Sequence, residues 1–298
     1  MDIIIGSLEL GFIYAIVAIG VYITYKILDF PDMSVDGTMP LGAAVTAVMI
    51  AKGMNPFIAT IVAIIAGCIG GATTGLLHVK LKINNLMAGI LVMIGLYSIN
   101  LRVMGKANTQ IFGSSHFLSK DVIPKIVVLL IFAIIVKILL DVFLKTKKGF
   151  ILRAVGDNEQ LVTSLAINKD NYKILGLVIS NGLAALAGAL LCQYQNYADV
   201  GMGAGTVVIG LAAVIVGESI FGRISFMKAT TTAALGAIIY RLAVTGVLEL
   251  GLDPQDLKLV TAVIVIVALS LNTKHLSFKS FKKAKNGGAT VVNNNESI

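Results

Sequence analysis

Nine long apolar stretches dominate this chain of 298 residues and constrain its fold more than any other feature. They lie near residues 8–27, 38–52, 56–78, 85–103, 125–144, 172–194, 206–221, 227–247 and 259–272. About twenty consecutive apolar residues cross a bilayer as an α-helix, whose backbone hydrogen bonds are satisfied within the segment. The stretches therefore predict an all-α fold, a polytopic transmembrane helical bundle of about 8–10 spans.

The low content of charged residues agrees with a membrane protein. Only 13% of the residues are charged, whereas a soluble domain has about 25%. The net charge of +8 does not indicate a nucleic-acid-binding protein, because the basic residues lie between the apolar stretches and in the C-terminal tail. We therefore expect membrane lipid as a partner and no nucleic acid.

The distribution of lysine and arginine predicts the orientation of the chain. With the N-terminus outside the cell, sixteen of the 24 basic residues fall in cytoplasmic segments and six in outer segments. Cytoplasmic segments of membrane proteins carry an excess of Lys and Arg. The segment 145–171 and the C-terminal tail are therefore predicted to face the cytoplasm.

We interpret residues 1–298 as a single transmembrane domain built from two halves. The first half covers 8–144, the second covers 172–272, and the charged segment 145–171 separates them. The tail, 273–298, is basic and polar and has too few apolar residues to bury a core. It is therefore predicted to be disordered.

Two short stretches echo each other, one in each half. They begin at Gly37-Thr38 and at Gly205-Thr206 and continue into similar runs of small apolar residues. In the predicted topology these helices run in opposite directions, so the halves would be inverted repeats with short, interrupted helices. Such repeats place short helices along a transport path. The alternative is chance similarity between helices rich in Gly and Ala, which are common where membrane helices pack.

Polar residues near these helix starts are candidates for lining a transport path. Thr38 or Asp36 caps the first short helix, or the free backbone amides of that helix bind the carboxylate of a substrate. Glu218 either lines the path or pairs with Arg241, and Asn181 is predicted to hydrogen-bond between helices. The full set of path candidates is Asp32, Ser34, Asp36, Gly37, Thr38, Gly205, Thr206 and Glu218.

The segment 145–171 is long and charged and contains several residues that favour turns and helix caps. Gly149 and Gly156 are predicted to form tight turns. Asp157 and Asn158 are good N-caps for a short helix that follows them. The sequence therefore predicts a structured segment between the two halves.

The short helix is predicted to begin near Glu159, whose carboxylate suits the positive end of a helix. Leu161, Val162 and Leu165 give it an apolar edge at helical spacing. An amphipathic helix of this kind, lying parallel to the membrane, suits a groove on a soluble partner. Arg153 either pairs with an acidic group of that partner or anchors the segment at the lipid headgroups.

Three parts of this segment are recognisable together: Gly149, the run R-A-V-G-D-N at 153–158, and A-I-N at 166–168. They resemble the coupling segment of ABC importer permeases of the branched-chain amino acid and simple-sugar type. The run I-L-D-F-P-D-M-S-V-D-G-T at 27–38 resembles the branch of that family linked to tryptophan and tyrosine uptake. One departure is Ala166, where the family often has glycine.

This resemblance implies a membrane-spanning permease subunit of a binding-protein-dependent importer. Its solute would be small and organic, an amino acid of the aromatic or branched-chain type. A separate cytoplasmic ATPase, which holds the ATP and Mg, would power transport by docking on the coupling segment. The implied coupling residues are Gly149, Arg153, Ala154, Val155, Gly156, Asp157, Asn158 and Glu159.

The resemblance also implies the remaining partners and the location. An extracellular solute-binding protein would deliver substrate to outer loops such as 104–124 and 249–258. A second copy of the chain would complete a homodimer. The protein is expected in the bacterial plasma membrane, with its C-terminus in the cytoplasm.

The sequence carries no motif for a reaction or for a cofactor of its own. The phosphate-binding pattern G-x-x-x-x-G-K-[ST] is absent, so the chain is expected neither to bind ATP nor to be an enzyme. No H-E-x-x-H pattern and no cluster of Cys and His indicates a metal site.

An ion- or proton-coupled secondary transporter is the alternative, because inverted repeats also serve such carriers. It would need titratable groups in the middle of the membrane, where the sequence offers few, and it would leave the coupling segment unexplained. A channel would need a pore lined by polar rings, which Asp36 or Asn181 would supply in an oligomer. ATP-driven uptake that survives collapse of ion gradients would distinguish the importer from both.

Overall fold

The computed structural model describes residues 2–111, 118, 124–222, 224, 227–249, 259–266 and 270. Helices make up most of this part of the chain, which confirms the predicted all-α class. In chain order they are α1 (Asp2–Val21), α2 (Val35–Ala51), α3 (Pro56–Leu81), α4 (Asn85–Met104), α5 (Lys125–Lys145), α6 (Lys147–Asp157), α7 (Glu159–Ser164), α8 (Lys169–Gln195), α9 (Thr206–Phe221) and α10 (Ala229–Glu249). A π-helical turn, Tyr22–Ile27, extends α1.

Six of the described helices are long and apolar enough to cross a membrane: α1 with its π-helical turn, α3, α4, α5, α8 and α10. They confirm six of the nine predicted spans. The ninth, 259–272, lies partly outside the described residues, although 259–266 are helical. The predicted tail at 273–298 and parts of the outer loops 104–124 and 249–258 also lie outside the described residues.

Two predicted spans, 38–52 and 206–221, correspond to the shorter helices α2 and α9, which have 17 and 16 residues. At about 1.5 Å per residue neither exceeds roughly 26 Å, which is less than the roughly 30 Å of a bilayer core. These two helices are therefore not full spans. The prediction of short, interrupted helices describes them better than the prediction of spans does.

The two short helices begin inside the bundle and not at its ends. Ser34 and Thr38, at the start of α2, contact Asn181 near the middle of α8. The first amides of α9 bind the side chain of Asp36, so α9 begins at the same level. From there α9 runs toward the end of the bundle where Glu218 contacts the π-helical turn. Helix α2 runs toward the other end, and α3 returns from it.

The long helix α8 forms the centre of the bundle and packs closely against α2 and α3. Gly67 and Gly71 of α3 lie so near α8 that a Cβ atom on either would overlap a backbone carbonyl, that of Asn181 or that of Leu177. Small residues allow this approach, because membrane helices associate through close packing and not through a hydrophobic drive. Helix α1 packs on the other side of α8, against α9 and α10.

A pair of three-residue strands joins the two halves at the end opposite α6 and α7. Strand β1 (Asn108–Gln110) follows α4, and β2 (Tyr197–Asp199) follows α8. They pair antiparallel, with Asn108 opposite Asp199. The pairing holds the chain that leads from β2 back into the bundle, where α9 begins.

Candidate functional site

Four polar side chains form a buried network where α2 meets the middle of α8. We call Asp32, Ser34, Thr38 and Asn181 the polar cluster. Asn181 donates through Nδ2 to Asp32 Oδ2 at 2.7 Å, and its Oδ1 accepts from Thr38 Oγ1 at 2.7 Å and lies 3.1 Å from Ser34 Oγ. Ser34 donates to Asp32 Oδ1 through its amide at 2.9 Å and through its hydroxyl at 2.5 Å.

Burial makes this network important for the structure. Each of its four residues is at most 3% exposed, and unpaired polar groups at such depth cost several kcal/mol. The cluster brings together Asp32, Ser34 and Thr38, which were predicted to line the path. It also confirms the prediction that Asn181 hydrogen-bonds between helices.

Asp36 caps the short helix of the opposite half. Its carboxylate accepts hydrogen bonds from the amides of Gly205, at 2.9 Å, and Val207, at 2.7 Å. Gly205 is the N-cap residue of α9, has a φ of 86° and provides no side-chain cap. The prediction that Asp36 or Thr38 caps α2 is therefore wrong, since Asp36 caps α9 and Thr38 bonds to Asn181.

Three amides at the start of α2, where a substrate carboxylate was considered, are already hydrogen-bonded. The amide of Asp36 donates to the carbonyl of Met33 at 3.3 Å, and those of Gly37 and Thr38 donate to the carbonyl of Ser34 at 2.9 Å. These bonds use the donors within the turn itself. Asp36 uses the amides of Gly205 and Val207 at the start of α9, so these donors too are not available to an anion.

A groove of about 540 Å³ opens beside Asp36. It is lined by residues 33–37 at the start of α2, by residues 93–100 of α4 and by residues 200–205 before α9. Thr206 follows Gly205 in the chain, and its hydroxyl bonds to the sulfur of Met39. The groove therefore lies where the two short helices begin, and it includes three predicted path residues: Asp36, Gly37 and Gly205.

Asn100 is a polar residue in the wall of this groove. It is 1% exposed, and its Nδ2 donates to the carbonyl of Gly37 at 3.2 Å. Its Oδ1 accepts no hydrogen bond within the described part of the chain. Since buried polar atoms are normally paired, this oxygen is an unused acceptor at the groove.

Glu218 does not join the other path candidates. It lies twelve residues beyond Thr206, about 18 Å along α9 at 1.5 Å per residue, and it pairs with Lys26 at 3.0 Å. Arg241 instead lies over the ring of Tyr14, with its guanidinium carbon 5.5 Å from the ring centroid. The predicted pairing of Glu218 with Arg241 is therefore wrong, because Glu218 contacts the π-helical turn and Arg241 contacts α1.

The segment between the two halves forms two short helices, α6 and α7, which we call the coupling segment. Thr146 caps α6 by accepting from the amide of Gly149 at 3.3 Å. Asn158 caps α7 by accepting from the amide of Leu161 at 3.0 Å. Asn158 was a predicted cap, whereas Asp157 is the last residue of α6 and does not cap α7. A helix beginning at Glu159 is confirmed.

Gly149 and Gly156 serve close packing and not the predicted tight turns, because both lie inside α6. A Cβ atom on Gly156 would overlap the carbonyl oxygen of Ile27, and one on Gly149 would overlap the backbone of Phe143. The backbone of α6 therefore rests directly on the end of the first helix. Leu152, which is fully buried, lies on the same inward side.

Glu159 fastens α7 to the start of α8. Its carboxylate pairs with Lys169 at 2.7 Å and with Lys173 at 2.5 Å. Burial by itself raises the pKa of this carboxyl, but the hydrogen bonds and positive charges of the two lysines outweigh it and hold the pKa below its usual range. Glu159 is therefore ionised at neutral pH and keeps its contacts there.

The outer side of the coupling segment exposes apolar side chains. Phe150 is 72% exposed, Leu161 55% and Leu165 63%, while Val155 and Val162 are buried against the bundle. Arg153 and Asp157 are exposed beside them, and Ala154 is half-buried. This surface has the apolar anchors with charged neighbours that characterise protein interfaces.

Ala166 ends α7 in a left-handed conformation, with a φ of 58°. Its amide donates to the carbonyl of Thr163 at 3.0 Å, and the amide of Ile167 donates to that of Val162 at 3.3 Å. Glycine adopts this conformation without steric cost. The geometry explains why a glycine suits this position.

Sequence reasoning missed an ion cluster at the same end of the bundle. Asp141 of α5 pairs with Lys137 at 3.0 Å and with Lys228 at 2.8 Å, and it accepts from the hydroxyl of Thr230 at 2.5 Å. The spacing of Lys137 and Asp141, four residues apart on one helix, was a signal for part of it. The contacts with α10 join positions that the sequence does not connect.

Comparisons with known proteins agree with this geometry. A family model described as "Branched-chain amino acid transport system / permease component" matches residues 3–270. A tyrosine transport system permease protein of Clostridioides difficile is 48% identical over 276 residues, 93% of each chain. A galactofuranose transporter permease protein of Escherichia coli is 28% identical over 82% of this chain and 72% of its own length.

A solved structure shares the fold. It is a metal-chelate type ABC transporter in an inward-facing conformation, with a TM-score of 0.54. The match covers 90% of this chain and 84% of that one, at 16% sequence identity. At this level of identity the likeness concerns the arrangement of helices alone. Within the described residues, no group of three or more His, Cys, Asp or Glu side chains is placed to hold a metal ion.

Proposed function

Because this chain belongs to the family of branched-chain amino acid transport system permeases, we propose that it is the membrane subunit of an importer driven by a separate ATPase. ATP hydrolysis in such a transporter takes place in a partner subunit, and this chain spans the membrane. The ATP and Mg would be held by that partner. The family membership also argues against the two alternatives, a secondary transporter and a channel.

The coupling segment is the observation that carries the proposal. Helices α6 and α7 expose Phe150, Leu161 and Leu165 on one side. On the other side the backbone at Gly156 rests on Ile27. An apolar surface of this kind suits a groove on a soluble protein. Because α6 packs directly against the bundle, movement of that protein would be transmitted to the membrane helices.

We propose a cytoplasmic orientation for this end and for the C-terminus. The π-helical turn after α1 and the end of α5 meet the coupling segment here, the end of α9 contacts the same turn, and basic residues such as Lys26, Lys145 and Lys228 lie among them. Cytoplasmic ends of membrane proteins are rich in such residues. The end with β1 and β2 would then face outward, toward an extracellular solute-binding protein.

The proposed solute is an aromatic amino acid, with tyrosine first. The support is the relative from Clostridioides difficile, a tyrosine transport permease that matches 93% of this chain. The more distant relatives named for sugars are 28% identical or less. We further propose that two copies of this chain form the membrane part of the complex and that the bacterial plasma membrane contains it.

Co-purification and uptake together test this proposal. The tagged chain is extracted gently from its native membrane with the proteins bound to it, and uptake of labelled L-tyrosine is measured in proteoliposomes with ATP inside or outside. We expect a stoichiometric ATPase, and uptake that needs ATP on the side of the ATPase and survives ionophores. Uptake abolished by ionophores, or a chain that purifies alone, would contradict the proposal.

Charge reversal supplies a matched pair of variants. Arg153→Glu changes the exposed surface of the coupling segment and should release the ATPase. Arg102→Glu makes the same change on an exposed residue of α4 at the opposite end of the bundle and should retain it. Equal loss of the ATPase from both variants would mean that the coupling segment is not the docking surface.

A further inference from the structure

The sequence suggested that amide donors at the start of α2 bind the carboxylate of a substrate. The groove beside Asp36 instead presents a negatively charged acceptor. The amides of residues 36–38 and 205–207, at the two short-helix starts, are already hydrogen-bonded, either within a turn or to Asp36. No Lys, Arg or His lies among the described residues that line the groove. The groove therefore offers acceptors and a negative charge, and among the described residues that line it no side chain carries the positive charge that would pair with a carboxylate.

Asp36 keeps acceptor capacity after it has capped α9. Each of its two oxygens accepts one hydrogen bond, from Gly205 or from Val207, and a carboxylate has about four acceptor positions. Its side chain is only half-buried and lines the groove. The positive end of α9 stabilises negative charge at this place.

Asn100 is an independent observation that points to a ligand. It is 1% exposed, and its Oδ1 accepts nothing within the described part of the chain, although its Nδ2 is bonded to Gly37. Such an oxygen is costly unless a donor reaches it. The same groove therefore has a carboxylate and a buried, unused amide oxygen in its wall.

We infer that this groove is a transit site for the transported solute and that Asp36 and Asn100 bind its ammonium group. An ammonium ion carries three donors and a positive charge, which match the carboxylate and the amide oxygen. Tyr97 lines the same groove, and the face of an aromatic ring also attracts cations. A volume of about 540 Å³ is within the usual range of ligand pockets, about 300–1,000 Å³.

Membrane depth strengthens the assignment. The groove lies where α2 and α9 begin, at the level of the middle of α8. An ionisable side chain at this depth is costly in lipid and is found where it faces protein or a water-filled path. Ammonium recognition gives Asp36 a role beyond capping α9.

The inference rests on the proposed function, and a pair of tyrosine analogues tests it without any substitution. Tyramine keeps the ammonium and lacks the carboxylate, whereas 3-(4-hydroxyphenyl)propionate keeps the carboxylate and lacks the ammonium. Binding to the permease–ATPase complex in nanodiscs, without the solute-binding protein, is measured by saturation-transfer NMR. L-tyrosine and tyramine should bind and compete with each other, and the propionate should not.

Asp36→Asn provides the second test. Asparagine keeps one acceptor oxygen for the start of α9 and has an NH2 donor in place of the other, so the variant loses the charge and one of the two bonds from Gly205 and Val207. We expect an affinity for L-tyrosine lower by about tenfold to a hundredfold, the range of a hydrogen bond to a charged group. Glu249→Gln is the matched control, since it removes a carboxylate from an exposed position at the far end of α10 and should change nothing.

The outcomes separate this inference from the proposed function. Recovery of the ATPase with the chain tests the proposed function alone. If the ATPase is recovered but the propionate binds as well as tyramine, if neither amine binds at several mM, or if Asp36→Asn keeps full affinity, the ammonium site is wrong and the importer stands. Selective amine binding that is weakened in Asp36→Asn supports both.

Discussion

The polar cluster and the coupling segment are opposite solutions to the same problem of placing polar residues in an apolar protein. In the cluster, Asp32, Ser34, Thr38 and Asn181 are at most 3% exposed and bond to one another. In the coupling segment, the charges are exposed and the apolar side chains point outward with them. The cluster is complete by itself, whereas the coupling segment presents a surface that a partner would cover.

This difference predicts separable phenotypes. Substitutions in the cluster should reduce the stability of the bundle, because they leave buried groups unpaired. Substitutions on the outer surface of the coupling segment should spare the bundle and impair ATPase binding.

The largest effect is expected from Asn181→Ala. It removes the partner of Thr38 and one partner of Asp32, and leaves a buried carboxylate with fewer bonds, at a cost of about 3 kcal/mol or more in the free energy of unfolding. Equilibrium denaturation in mixed micelles measures it. Thr46→Val is the control, because the buried hydroxyl of Thr46 has no partner among the described residues and its loss should be neutral. An equal loss in the free energy of unfolding for the two variants would contradict the stabilising role assigned to the polar cluster.

Gly156→Ala should have the next largest effect, and it should lower both the stability of the packing and the binding of the ATPase. The added methyl group would overlap the carbonyl of Ile27, so α6 has to move away, at a cost of about 1–3 kcal/mol. Hydrogen exchange in α6 should accelerate, and ATPase binding should weaken. Gly246→Ala in α10 is the control, since no described atom beyond the adjoining backbone of α10 itself lies within 4 Å of the added group. Unchanged exchange in α6 would contradict the packing described for Gly156.

Ala166→Gly is expected to stabilise the coupling segment. It relieves the left-handed conformation at φ 58°, which costs an L-residue roughly 1 kcal/mol, although the unfolded chain gains freedom in return. The net gain should be a few tenths of a kcal/mol up to about 1 kcal/mol. Slower hydrogen exchange at the end of α7 would support the assignment, and faster exchange would refute it.

Glu159→Gln should have the smallest effect at neutral pH, below about 1 kcal/mol, because its ion pairs with Lys169 and Lys173 are partly exposed. The pKa of Glu159 lies below its usual value of 4.5 in the folded protein. Its contribution is therefore full above pH 4.5 and is lost as the pH falls through the lowered pKa. Amide exchange in α7 of the native protein should accelerate in that acid range, while Glu159→Gln should show no such transition.

The sequence predicted those features that depend on local pattern. Hydropathy placed six membrane helices, and the repeated Gly-Thr starts indicated two short helices. Asn158 was predictable as a cap because capping joins residues three apart. The motif at 153–158 was recognisable from the sequence because its residues are neighbours in the chain.

The errors concern contacts between positions far apart in the chain. Asp36 caps a helix that begins 169 residues later, and Glu218 pairs with Lys26 across 192 residues. Neither pairing leaves a periodic or local signal. Gly156 was predicted in a turn because glycine permits turns, but what requires glycine there is the backbone of Ile27, which only the folded structure brings close.

Because Asp36 caps α9, the order in which the two halves are synthesised decides whether the acceptor for the first amides of α9 is present when they enter the membrane. Asp36 leaves the ribosome roughly 10–30 s before Gly205, given their separation of 169 residues and synthesis at about 5–20 residues per second. The start of α9 therefore enters a membrane in which its acceptor is already present. Expressed without the first half, the second half would bring those amides into lipid with nothing to accept their hydrogen bonds, whereas the first half retains its own turn at Ser34.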